Sequence, residues 1–203
     1  MRIALALILF ICSCFSGLAE AALPEVTDAA SFAEACTALD DEEGFSTCAF
    51  SDLPTAVVLD DERFAQLLAD GTGVVLIASP EDNWTRLLAP VLFDVMAENS
   101  AALQLYLPND NAVTSELLQR LRSEGTSLTG SKPLAEALAA DDTTPYGCAL
   151  FLKEGQVVGY HVGTLKAHEQ PPQALEASEA DAIADMLQFQ LDKLLSAGCN
   201  VGC

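Results

Sequence analysis

The residues with the richest chemistry in this chain are its seven cysteines. Cys12 and Cys14 lie in an apolar N-terminal stretch, and Cys36, Cys48, Cys148, Cys199 and Cys203 follow. A thiolate can attack a disulfide, bind a metal or become a structural bridge, depending on what surrounds it. Cys36 and Cys48 bracket the acidic segment Leu39-Asp40-Asp41-Glu42-Glu43-Gly44, and Cys199 and Cys203 form a Cys-x3-Cys near the C-terminus. Disulfides at Cys36–Cys48 and Cys199–Cys203 leave Cys148 single, although the spacing alone does not fix this connectivity. The five cysteines after the leader are an odd number, so one stays free or pairs with another molecule. A Cys36–Cys48 bridge closes a short loop and adds about 2–3 kcal/mol on the loop-entropy model.

The other candidates are weaker. His161 and His168 are the two histidines. They are seven residues apart with only scattered acids around them, and we read them as surface residues rather than metal ligands. Ser79 and Ser178 stand in helix-cap contexts, and no Ser-His-Asp arrangement is legible. Gly71-Thr72-Gly73 reads as a turn rather than a phosphate cradle. Asn83-Trp84-Thr85 fits a glycosylation sequon, which matters only in a eukaryotic secretory pathway. The acidic run Asp40–Glu43 reads as a solvated face. No cofactor and no metal is expected.

Composition narrows the setting. With 203 residues, 51% of them hydrophobic, the chain can bury one sizeable core. Nine Lys and Arg against 30 Asp and Glu give a net charge of −21. That excess disfavours nucleic acid and anionic membrane surfaces, both of which call for basic side chains. The chain opens with Met1-Arg2, an apolar run Ile3–Ile11 and the small-residue pattern Ala19-Glu20-Ala21, the layout of a secretory signal peptide with cleavage after Ala21. A lipoprotein anchor at Ile11-Cys12-Ser13-Cys14 is the alternative. Losing residues 1–21 removes one Arg and one Glu, so the acid excess is unchanged. No later segment is long and apolar enough for a membrane helix. The expected product is exported, either secreted or held at the outer face of the cell membrane.

Hydrophobic periodicity then supplies the elements. Residues 22–54 read as an N-terminal extension with a short helix near Ser31–Leu39. Ala56–Leu59 is a strand. Asp60 and Asp61 open a helix that presents Phe64, Leu67 and Leu68 on one face. Val74–Ala78 is the continuous apolar run of a buried central strand. Ser79-Pro80 looks like the N-cap and first position of the next helix, which runs through Trp84, Leu87, Leu88, Val91, Leu92, Val95 and Met96 and is kinked by Pro90. Leu103–Leu107 is a strand. Val113–Glu124 and Ser131–Ala140 are helical. Cys148–Lys153 and Gln156–Val162 form a hairpin about Glu154-Gly155. A last helix begins near Ser178, with Ile183, Met186, Leu187, Leu191, Leu194 and Leu195 as its stripe.

This order resembles the thioredoxin-like superfamily, and is closest to its exported bacterial branch of bacteriocin-transport accessory proteins, over Ala56–Ser196. The resemblance is carried by Arg86-Leu87-Leu88-Ala89-Pro90-Val91-Leu92, by Leu150-Phe151-Leu152-Lys153-Glu154-Gly155, and by the eight-residue step from Gly155 to Gly163. It implies a three-layer α/β/α sandwich with a central mixed sheet. On that reading residues 55–203 form the domain, with an insertion around 109–144 and a terminal cysteine tail. It also implies where the redox motif has gone. Asp82-Asn83-Trp84-Thr85 occupies the Cys-x-x-Cys positions, and neither Asp82 nor Thr85 can exchange a disulfide. Gly147 occupies the cis-proline position, with Cys148 beside it and Pro145 two residues early. Leu76 replaces the buried proton-relay aspartate.

Two functions are therefore expected in order of preference. The first is a non-catalytic module that binds a protein or peptide at Asp82, Asn83, Trp84, Thr85, Pro145, Gly147 and Cys148. The second is a thiol–disulfide oxidoreductase with relocated sulfurs at Cys148 and at Cys199 and Cys203.

Overall fold

The computed structural model describes residues 25–43, 47–109, 119, 146–165 and 173–196. The leader, the helices expected at Val113–Glu124 and Ser131–Ala140, Pro145, His168, Cys199 and Cys203 lie outside the described residues.

The described elements are α1 (Ala29–Glu43), β1 (Ala56–Leu59), α2 (Asp61–Asp70), β2 (Gly73–Ile77), α3 (Asn83–Glu98), β3 (Leu103–Tyr106), β4 (Cys148–Lys153), β5 (Gln156–Val162) and α4 (Ala177–Ser196). The strands form one mixed sheet in the order β1-β3-β2-β4-β5. β1 and β2 both run parallel to β3, while β4 is antiparallel to β2 and to β5. β2 is therefore central. Its Val74–Ile77 side chains are buried on both faces, which explains an apolar run without alternation.

The sheet separates two cores. On one face Phe32 and Cys36 of α1 join Leu88, Leu92, Phe93 and Met96 of α3 and Ile183, Leu187 and Leu191 of α4. On the other, Phe64, Leu67 and Leu68 of α2 cover Val75, Ile77, Leu150 and Leu152. This is an α/β sandwich of three layers, with α2 the one helix on its side among the described residues. Phe64 stacks on Tyr106 with ring centroids 3.9 Å apart, and the Tyr106 hydroxyl donates to Asp61 at 2.7 Å.

Three expectations about elements change. α1 is longer than Ser31–Leu39, and its Phe32, Ala35 and Cys36 are fully buried, so this part of the expected extension belongs to the core. Its face is built largely of alanine and cysteine, which gives a faint hydrophobic period. α3 starts at Asn83, not at Pro80, and Asp82 rather than Ser79 is its N-cap. Ser79 instead closes the preceding turn, accepting at its carbonyl from the Asp82 N–H (3.0 Å). In α4, Met186 and Leu195 face outward, because the sheet contacts only a narrower stripe of that helix.

Candidate functional site

The C-terminal ends of β1, β2, β3 and β5 and the start of β4 lie at one end of the sheet, as the parallel and antiparallel registers require. Open α/β sheets bind ligands at that end. Here it holds the first turn of α3, residues 146–147 before β4, and residues 163–165 after β5.

The first turn of α3 is closed by its own side chains. Asp82 Oδ2 accepts from the Thr85 N–H at 2.6 Å, and the Asp82 carbonyl accepts from Arg86 N at 3.0 Å. A carboxylate here also complements the positive end of the helix dipole. Thr85 is fully buried, and its hydroxyl accepts from Ser79 N at 3.4 Å. The two positions where the resemblance expects sulfur are thus bonded to each other.

Trp84 is half-buried between two glycines. Gly147 has a φ of 64°, and a Cβ placed on it would lie 3.0–3.1 Å from Trp84 and the Thr85 nitrogen. Gly163 also has a φ of 64°, and a Cβ there would come within 3.8 Å of the indole ring. Gly163 N donates to the Gly147 carbonyl at 2.9 Å, tying the two loops together beside the tryptophan. Any side chain at Gly147 would be strained in backbone and crowded against α3.

Of the expected site residues, Asp82, Asn83, Trp84, Thr85 and Gly147 come together. Cys148 does not join them. Its side chain is fully buried in the opposite core, among Ile77, Leu150 and Tyr106 under α2, and burial pushes its thiol up to about 12. The alternation of side chains along β4 sends Cys148 to the far face although Gly147 touches α3.

Beneath the site lies a constellation that the sequence reading placed elsewhere. Asp40, expected on a solvated face, is buried. It accepts from Thr47 Oγ1 at 2.6 Å and from Cys48 N at 2.6 Å, and its Oδ1 lies 3.5 Å from Arg86 Nε. The Arg86 side chain is 1% exposed and its Nη2 donates to Asn83 Oδ1. A buried carboxylate is tolerable only with such partners. The sequence signal was Arg86 itself, a basic residue set in a helix stretch that is otherwise apolar.

Cys36 and Cys48 sit against this pair in the core shared by α1 and α3. Both are thiols here, not joined by a disulfide. The Cys36 thiol is held far above the ordinary range, chiefly by its hydrogen bond with Cys48 and then by burial. The Cys48 thiol donates to the Arg86 carbonyl at 3.8 Å. Pro90, four residues on, has no N–H to offer that carbonyl.

His161 is on edge strand β5, opposite Ala149. Its pKa is lowered by burial, against a hydrogen bond with the Gly163 backbone that works the other way. Its side chain is half-buried with Nε2 shielded from solvent, so it is not the exposed surface residue expected. Among the described residues no cluster of His, Cys, Asp and Glu could hold a metal, and no helix is long and apolar enough to cross a membrane. An apolar hollow of about 470 Å³ opens at the other end of the sheet, lined by Met96, Gln104, Lys153, Leu191 and Leu194. Among the described residues, Lys153 is its single titratable side chain, with no acid or base beside it in the lining.

Compared with family models, curated proteins and solved structures, the chain matches none.

Proposed function

We propose that this chain is an exported, non-catalytic module of thioredoxin-like type that binds an extended protein or peptide segment across the first turn of α3. One observation carries the reading: Asp82 and Thr85, at the two would-be redox positions, are bonded in a closed helix cap. Among the described residues, this end holds a half-buried indole between two glycine turns, next to a carboxylate. A half-buried aromatic ring beside a closed helix cap suits the docking of an extended chain better than it suits bond-breaking chemistry. The order β1-α2-β2-α3-β3, then the hairpin β4-β5 and α4, supports the resemblance. The net charge of −21 favours a basic partner.

Trp84 is the only tryptophan, so its fluorescence reports on this surface directly. Titration with extended basic peptides shifts the emission, and acidic peptides of the same length do not. Unchanged emission with every peptide, together with catalysed insulin reduction, would overturn the proposal in favour of an oxidoreductase. That second reading draws no support from Cys148, which is buried and protonated on the wrong face.

A further inference from the structure

We infer that Cys36 and Cys48 form a redox clasp, a dithiol that closes to a disulfide by exchange with a small-molecule disulfide, Cys48 reacting first. This stands independently of the peptide-binding reading.

The geometry is set by Asp40. It follows Cys36 by one helical turn on α1, and its Oδ2 holds the Cys48 N–H at 2.6 Å. Cys48 is thereby fixed beside Cys36, and both pack into the same core. The two sulfurs are unequal in access. Cys36 is 0% exposed, whereas Cys48 is partly exposed. The hydrogen bond and burial that keep Cys36 protonated also rule it out as the initial nucleophile.

The exchange runs in two balanced steps. The Cys48 thiolate attacks one sulfur of R–S–S–R. That S–S bond breaks, and R–S⁻ leaves and takes up the proton that Cys48 gave to solvent. Cys36 then gives up its proton to the second departing R–S⁻ as its sulfur attacks Cys48 Sγ. Two protein thiols become one Cys36–Cys48 disulfide, and the small disulfide is reduced to two R–S–H. Closure removes the Cys48 S–H, so the Arg86 carbonyl opposite Pro90 loses that donor.

The probe is oxidised glutathione at neutral pH, followed by alkylation and peptide mapping by mass. In the wild type, Cys36 and Cys48 are recovered as one disulfide-linked pair, while Cys148 stays a thiol. Cys36→Ser stops at a Cys48–glutathione adduct, and Cys48→Ser leaves Cys36 unmodified in the folded protein. The inference fails if Cys36 and Cys48 both remain alkylatable, if either bridges to another cysteine, or if glutathione is found on Cys36 in Cys48→Ser. The wild-type map decides alone should either variant not fold.

Discussion

Asp40 and Arg86 hold α1 to the first turn of α3 through a pair whose side chains are 5% and 1% exposed. Removing one partner strands the other charge in the core, which costs about 3–5 kcal/mol. Asp40→Ala should therefore lower unfolding stability by that amount in urea titration. The Asp40→Leu, Arg86→Met double variant should recover much of the loss, since it leaves no unpaired charge. His161 gives a second prediction at the same scale. Its pKa is lowered in the folded protein by burial, so below about 6.5 the unfolded chain binds a proton that the native state refuses. The histidine's contribution is constant above that value and is lost as pH falls through the lowered folded pKa. Comparing wild type with His161→Gln at pH 7.5 and 5.5 isolates the effect from the carboxylates, and the wild type should lose more stability on acidification. Equal losses would remove His161 as the cause.

At the scale of elements, the cap decides where α3 begins. Asp82 bonds to Thr85 N, whereas the Ser79 hydroxyl accepts from Glu81 N at 3.3 Å within the preceding turn. Asp82→Ala should cost ~1 kcal/mol and Ser79→Ala markedly less; the reverse order in thermal unfolding would place the cap at Ser79. Ser79-Pro80 reads in the sequence as the helix start, and only the turn at 79–82 moves the cap to Asp82. Strands were easier to read. β2 stood out as an uninterrupted apolar run, and β4 and β5 were bounded by Glu154-Gly155, where both residues have positive φ. The hairpin's second face was harder to foresee, because Cys148 neighbours Gly147 in sequence but points into the opposite core. Asp40 escaped for a related reason. An acid in a run of four acids looks solvated, and only the packing of α1 onto α3 shows which of them meets Arg86.

For the whole molecule, the proposed function joins the acid excess to the end of the sheet. A basic peptide should bind more weakly as salt rises from 50 to 500 mM, because steering and rim contacts are screened over about a Debye length. Binding indifferent to salt would mean that the indole and the glycine turns carry the recognition without help from charge. The strand order has a different consequence, for how the chain reaches this state. β2 lies between β3 on one side and β4 on the other, and β4 begins about seventy residues after β2 ends. Until the hairpin arrives, Val74-Val75-Leu76-Ile77 presents one open, uncharged backbone edge, the kind of segment through which identical chains join. Asp70 before it and Glu81 and Asp82 after it stand as gatekeepers. The net charge of −21 keeps incomplete copies apart during the interval. The acidity proposed to favour a basic partner thus also guards the most vulnerable strand before the fold is complete.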